Sequence, residues 1–216
     1  MSEAVQERPP ANGSRSRTVT LVLAGLVALA AALWVGVSVL RPGGPSPDGP
    51  EAGFAQDMSV HHAQAVQMSF LVYDATEDEE IRTLAYDIIN TQSQQIGMMT
   101  AWLDAWDAPK VNPGGSMRWM RGHGGHGAGG GGATSMPGMA TDEQLDRLKK
   151  AKGRDAEVLF LQLMIAHHKG GVEMARAILP LTADEQVKRL ATSMVDGQES
   201  EIELMTAMLR ERGAAP

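Results

Sequence analysis

Residues 54–103 read FAQDMSVHHAQAVQMSFLVYDATEDEEIRTLAYDIINTQSQQIGMMTAWL, and residues 160–209 read FLQLMIAHHKGGVEMARAILPLTADEQVKRLATSMVDGQESEIELMTAML. Aligned without a gap at an offset of 106 residues, the two stretches are identical at 18 of 50 positions. In the first copy these positions are Phe54, Gln56, Met58, His61, His62, Val66, Met68, Thr76, Asp78, Glu79, Leu84, Ala85, Gln92, Ile96, Met99, Thr100, Ala101 and Leu103. This much ungapped identity indicates that one unit was duplicated.

Each copy has the apolar spacing of a helical hairpin. The first helix of the first copy carries a stripe that steps by three and four residues, namely Phe54, Met58, His61, Ala65, Met68 and Val72. A second stripe runs from Ile81 to Leu103, and Thr76 and Thr182 are predicted N-caps because an acid follows each by three residues. One hairpin cannot bury its apolar face alone, so the duplication predicts an all-α four-helix bundle over residues 54–212.

The remaining sequence divides into a linker and an N-terminal region. We assign the repeats to 54–106 and 155–212, joined by a Met-, His- and Gly-rich linker, 107–141, and a short helix, 142–152, capped by Thr141. Ahead of the bundle we expect a cytoplasmic tail at 1–17, a transmembrane anchor at 18–40 and a Pro/Gly tether at 41–53.

The anchor is predicted from an uncharged run of sequence. Residues 18–40 would span roughly 34 Å as a helix, enough to cross the ~30 Å hydrocarbon core. Arg8, Arg15 and Arg17 precede the run, which predicts a cytoplasmic N-terminus and a bundle on the outer side of the cell membrane. A cleaved signal peptide is the alternative, and it also sends the bundle out of the cytoplasm.

Composition excludes several classes of function. The chain has 216 residues, a formal net charge of -7 and no cysteine. An acidic chain lacks the basic surface that nucleic-acid binding requires, and without cysteine there are no disulfides or thiolate metal sites. No glutamate stands three residues before a histidine, so the Glu-x-x-His pairs of di-iron bundles are absent from the sequence.

The histidines and methionines predict a site for a soft metal ion. Met58, His61, His62 and Met68 share one arc of a helix, and the second copy repeats them as Met164, His167, His168 and Met174. Imidazole with thioether is the donor set that Cu(I) prefers, and Ag(I) resembles it in softness. The alternative is a structural core, in which the methionines fill space and the histidines bond to Gln92 and Gln198. In the metal interpretation these two amides, with Glu201, would instead fix the ring orientations.

The linker offers a second group of soft donors. They are Met117, Met120, His123, His126, Met136 and Met139. A Gly-rich loop lets such donors fold around an ion that orders them, although a compositional accident would give the same pattern.

The pattern F-x3-M-x2-H-H-x5-M, followed by L-A-x6-Q-x3-I-x2-M-x3-L, resembles the domain-of-unknown-function family numbered 305 over residues 51–212. The resemblance implies an extracytoplasmic, ferritin-like four-helix fold, and some members of that family are associated with copper binding and resistance. The second copy follows the family pattern more closely, because the first has Gln95 where the second has Glu201.

These observations predict a membrane-anchored, exported bundle that sequesters or passes on Cu(I) without catalysing a reaction. The recipient of the ion, such as a copper exporter or an oxidase, is not identified by the sequence. One alternative is an interaction or scaffold module whose histidines are structural or sense pH. The other is a metal-dependent oxidase, for which the sequence offers no clear general base.

Overall fold

The structure, a computed structural model, describes residues 22–34, 44–120 and 136–215. Residues 22–34 are helical (α1) and belong to a unit separate from the compact unit formed by Pro45–Pro216. The second unit contains helices α2 (Pro50–Tyr73), α3 (Glu79–Ala105), α4 (Asp142–Lys150), α5 (Gly153–Ile178) and α6 (Glu185–Glu211), with a 3-10 turn at Arg118–Met120. No strand occurs in the described residues, which confirms the predicted all-α class.

The predicted membrane anchor falls only partly within the described residues, because 18–21 and 35–40 lie outside them. Among the helices that the structure describes, none is both long enough and apolar enough to cross a membrane.

The two hairpins predicted from the duplication are present. Helix α2 packs along α3, helix α5 packs along α6, and the hairpins meet principally through α2 and α5. Helices α3 and α6 begin and end at equivalent positions of the repeat, since Glu79 and Ala105 lie 106 residues before Glu185 and Glu211. The helices that carry the paired histidines are therefore the two that join the halves of the bundle.

The helix caps differ in part from the prediction. Asp78 caps α3 by accepting from the backbone N–H groups of Glu80 and Ile81, and Asp184 caps α6 in the same way. Thr76 and Thr182 each accept from the backbone N–H of the capping aspartate, so the prediction that the threonines are the N-caps is wrong by two residues. The aspartates are preferred because a carboxylate satisfies two free N–H groups at the positive end of the helix.

Three predicted boundaries shift as well. Helix α2 begins at Pro50 rather than after residue 53, because proline suits the first helical position and Ala52 and Gly53 are buried. Helix α5 begins at Gly153, two residues before the predicted start. Helix α4 ends at Lys150 because Ala151 is extended, but its cap is confirmed: Thr141 and Gln144 form a reciprocal capping box.

The apolar core is divided into two clusters, each drawing on both hairpins. The first cluster contains Phe54 and Met58 from α2 with Met174 from α5, and the second contains Met68 from α2 with Met164 from α5. The four helical histidines, Gln92 and Gln198 are buried but belong to neither cluster. They form a polar layer that separates the two apolar clusters.

A buried ionic network closes the bundle at the start of α5. Arg212 Nε donates to Glu157 Oε2 at 2.8 Å, and its Nη2 donates to Asp78 Oδ2 at 2.8 Å. Thr76 Oγ1 donates to the other oxygen of Glu157 at 2.6 Å. Because Asp78 also caps α3, this network joins α3, α5 and the end of α6.

Candidate metal centre

The paired histidines of each hairpin point to different neighbours. Consecutive residues of a helix lie 100° apart, so the side chains of each pair diverge. The His61 ring stacks on the His167 ring across the α2–α5 contact, with the ring centroids 3.7 Å apart and the planes inclined by 30°. His62 and His168 instead face the second helix of their own hairpins. The duplication thus produces a layer of four buried imidazoles with approximate two-fold symmetry.

Three of the rings have their tautomer fixed by an oxygen acceptor. His62 Nε2 donates to Gln95 Oε1 at 2.6 Å, and His168 Nε2 donates to Glu201 Oε2 at 2.6 Å. His61 Nε2 donates to the backbone carbonyl of Pro137 at 3.0 Å. With the proton on Nε2, the lone pair of a neutral imidazole lies on Nδ1.

These Nδ1 lone pairs are buried without a partner. Among the residues that the structure describes, the Nδ1 atoms of His61, His62 and His168 accept no hydrogen bond, and neither ring nitrogen of His167 makes one of ordinary geometry. A buried polar atom without a partner costs about 1–3 kcal/mol. Several ring lone pairs in this one layer are therefore available to a ligand.

Burial favours the neutral form of three of the imidazoles, those of His61, His62 and His167. Loss of hydration lowers the pKa of His61 to about 4 and the pKa of His62 to about 3, and it lowers the pKa of His167 well below its ordinary value. The Pro137 carbonyl and the Gln95 amide oppose this only in part, and the neighbouring rings lower the pKa values further because two adjacent imidazolium ions repel. Neutral imidazole is the form that binds a metal ion, so these three rings are in their ligating form at neutral pH.

The side chains of the histidine layer are not arranged as a preformed coordination site. Among the described residues, no group of three or more His, Asp or Glu side chains is placed to hold a metal ion. Met58 and Met174 lie in the apolar cluster on one side of the histidine layer, and Met68 and Met164 in the cluster on the other.

The end of the linker is clasped over the histidine stack. Gln64 exchanges two hydrogen bonds with the backbone of Ala140, at 3.0 Å and 2.7 Å. At Gly170 the linker backbone lies so close to α5 that an added Cβ would meet the Pro137 carbonyl oxygen at 2.0 Å. Gly138 has a φ of +72°, and a Cβ there would meet the Ala166 carbonyl oxygen at 2.2 Å. This clasp, Met136–Ala140, holds the carbonyl that orients His61.

Changing Gly170 to Ala is expected to lower the free energy of unfolding by about 2–3 kcal/mol, because the methyl group must displace the clasp and release His61 Nε2. Guanidinium chloride unfolding of the full chain measures this change. The control is Gly97→Ala in α3, where an added Cβ meets nothing within 4 Å. That variant is expected to gain about 0.5–1 kcal/mol from helix propensity. Equal changes in both variants would contradict the clasp.

The linker methionines gather at one end of the bundle. Met117 and Met136 are buried in the cluster that contains Met58 and Met174, and Met120 and Met139 pack against it. Asp57 fixes the start of the linker by accepting from the backbone N–H of Met117 at 2.7 Å and from Trp119 Nε1 at 3.0 Å. His123 and His126, the other predicted linker donors, lie outside the described residues.

The predicted amide partners occupy a different place from the one expected. Gln92 and Gln198 are buried beside the imidazoles, but the Oε1 atom of each has no hydrogen-bond partner. The Gln198 amide lies against Gly171, where an added Cβ would be 2.3 Å from Oε1. The residues that bond the rings, Gln95 and Glu201, lie three positions further along each helix.

Comparison with known proteins places the chain in a family. The family model for a domain of unknown function, DUF305, matches residues 51–209. The chain belongs to the DUF305 family. The resemblance inferred from the His-His and methionine spacing is thereby confirmed.

Two solved structures share the fold of this DUF305 chain. A DUF305 protein from Streptomyces coelicolor, described as a candidate secreted protein, is 50% identical with a TM-score of 0.71, covering 79% of this chain and 98% of that chain. CopM in its Cu(II)-bound form is 27% identical with a TM-score of 0.57, covering 73% of this chain and 94% of that chain. CopM has also been solved with Cu(I) and with Ag bound.

A curated relative matches a shorter stretch. The uncharacterised protein L153 of Acanthamoeba polyphaga mimivirus is 38% identical over 53 residues, which are 24% of this chain. The matched stretch spans 35% of that relative, so the chain covers about a third of its length.

Proposed function

We propose that this DUF305 protein binds Cu(I), or the similarly soft Ag(I), within its helical bundle and sequesters the ion or passes it on. The observation that carries the proposal is the layer of four buried, closely packed imidazoles with unpartnered ring nitrogens. A purely structural layer would be expected to satisfy these atoms. The binding of Cu and Ag by CopM, which shares the fold, supports the same choice of ion.

The donors that would hold the ion are the ring nitrogens of the four helical histidines and the thioethers beside them. The histidines are His61, His62, His167 and His168, and the methionines are Met58, Met68, Met164 and Met174. Soft thioether and neutral imidazole favour Cu(I) over hard ions such as Mg²⁺, which require oxygen ligands. Gln95 and Glu201 would orient the rings through Nε2, while Gln92 and Gln198 lie beside them in the same layer.

The linker would serve as a capture site that feeds the bundle. Met117, Met120, Met136 and Met139 lie at the end of the bundle that holds Met58 and Met174. With His123 and His126 in the intervening sequence, they would give an incoming ion a succession of soft donors leading to the histidine layer.

We further propose that the bundle functions outside the cytoplasm, tethered to the cell membrane by residues 18–40. The uncharged run and the arginines before it support this placement. The description of the Streptomyces coelicolor protein as a candidate secreted protein is consistent with an exported bundle. An exported copper protein would pass its ion to a membrane exporter or to an oxidase.

The alternative is a structural or interaction module with a buried His/Gln network. Its support is that His62 and His168 already make short hydrogen bonds within the bundle. Catalysis by a metal-dependent oxidase is a lesser alternative, because it would need an open coordination position and a general base.

The experiment that tests the proposal is a competition titration of the full chain, in mild detergent, against a chromophoric Cu(I) chelator without oxygen. We expect the protein to withdraw Cu(I) from the chelator and to bind Zn(II) more weakly, because Zn(II) does not favour thioether ligands. A protein that leaves all the Cu(I) on the chelator would contradict metal handling and favour the structural module.

A further inference from the structure

His62 and His168 are held in the same way in the two halves of the histidine layer, apart from one change of residue. His62 and His168 are both fully buried, and each donates Nε2–H to a side-chain oxygen of the next helix at 2.6 Å. Residues 95 and 201, which supply these oxygens, are equivalent in the repeat. The first is a glutamine and the second a glutamate. The His62–Gln95 and His168–Glu201 pairs therefore share the same hydrogen bond and differ by one negative charge.

The charged side chains around Gln95 and Glu201 do not cancel this difference in charge. Gln95 opens onto a groove between α3 and α6, and among the described residues that line it Arg189 alone carries a charge. On the other side of the bundle, Glu199 is paired with Arg176 at 2.6 Å, whereas Glu201 is directed at His168. The Glu201 side chain is 25% exposed, so most of its surface is enclosed by the protein.

A carboxylate and an amide in this position act differently on a bound cation. A carboxylate that accepts the Nε2 proton makes the opposite ring nitrogen a stronger donor. Its charge also attracts the ion, and this Coulomb energy is twice as large for a divalent as for a monovalent ion. The Gln95 amide orients His62 equally well but adds no net charge.

We propose that Gln95 and Glu201 make the two half-sites unequal, so that the His168–Glu201 half favours divalent Cu(II) and the His62–Gln95 half favours monovalent Cu(I). This inference rests on the proposed function and adds to it. Both residues are positioning residues that act through a histidine, and together they set which charge state of copper each hairpin holds.

Glu201→Gln and Gln95→Glu test the inference in the full chain, because each exchange keeps the shape of the side chain and changes its charge. We expect Glu201→Gln to weaken Cu(II) binding about 10- to 100-fold and Cu(I) binding by about the square root of that factor. The reduction potential of the bound copper then rises by about 30–60 mV, since a tenfold change in the affinity ratio corresponds to 59 mV. Gln95→Glu should lower the potential, and the double exchange should return it towards the wild-type value.

The outcomes separate this inference from the proposed function. If wild-type protein binds neither Cu(I) nor Cu(II), both are wrong. If it binds copper but Glu201→Gln weakens both oxidation states by the same factor, the carboxylate only orients the ring and the inference alone is overturned. Unfolding of each variant in metal-free buffer shows whether a loss of affinity reflects a loss of the fold. If Glu201→Gln does not fold, the Gln95→Glu variant, which adds a charge, tests the inference, and a reduction potential that does not fall would overturn it.

Discussion

Cu(I) affinity is expected to fall at least about 1,000-fold when His61, His62, His167 and His168 are all replaced by alanine, because every imidazole donor of the layer is then removed. Competition with the chromophoric Cu(I) chelator measures the loss directly. Four truncations in one layer also leave cavities, so a second variant replaces each histidine with asparagine, which retains a hydrogen-bond donor and most of the volume. Both variants should lose the ion, whereas only the alanine variant should lose much stability.

The matched control replaces Met117, Met120, Met136 and Met139 with leucine, which keeps the apolar packing but removes the thioethers. Its affinity for Cu(I) should remain within about tenfold of wild type if the histidine layer is the main site. Binding that survives the histidine variants and disappears in this control would place the site in the linker.

Stability of the metal-free protein is expected to decrease by about 3 kcal/mol or more between pH 7 and pH 4. The folded-state pKa values of His61 and His62, about 4 and about 3, lie below the ordinary value of 6.5 that applies to the unfolded chain. Between these values the unfolded chain binds more protons than the folded one. Stability is therefore fully present above pH 6.5 and declines as the pH falls towards 4. Urea unfolding at a series of pH values, with a chelator present, measures the trend.

The control for this prediction is His61→Asn, which can still donate to the Pro137 carbonyl but does not titrate. Between pH 6.5 and pH 4 its stability should depend less steeply on pH. The slope should fall by the equivalent of up to one bound proton. Burial raises the pKa of Asp57, and this group stabilises the folded state as the pH falls, opposite to the histidines. The comparison with the variant is therefore more informative than the wild-type curve alone. Identical slopes in the two proteins would show that His61 is not kept neutral by burial.

The repeated features of the fold could be predicted from the sequence. Apolar spacing located both hairpins, and the offset of 106 residues placed the His-His pairs in equivalent helices. Helical geometry alone could not say which histidine of each pair meets the other hairpin. The stack of His61 on His167 depends on how α2 and α5 pack, which is a tertiary contact between residues 106 apart.

What the sequence did not reveal lies where the two copies differ. Gln64 holds the linker clasp, and its counterpart Gly170 allows that clasp to approach α5. Asp57 binds the start of the linker, and its counterpart is a leucine. The linker occurs once, so it imposes asymmetry on a duplicated bundle, and Asp57 and Gln64 are among its contacts. The mismatch of Gln95 with Glu201 is visible in the sequence, but only the packing of α2 on α3 shows that Gln95 is the partner of His62.

The division of the core into two apolar clusters affects how the chain folds during synthesis. Each apolar cluster takes side chains from both hairpins, so a ribosome that has completed α3 has made less than half of either cluster. The first hairpin must wait for α5 and α6 with its methionine and histidine stripe uncovered. Until those helices are made, the stripe is an exposed, aggregation-prone surface. Early binding of that stripe by a chaperone, or by the ion itself, would shorten the time for which it is exposed.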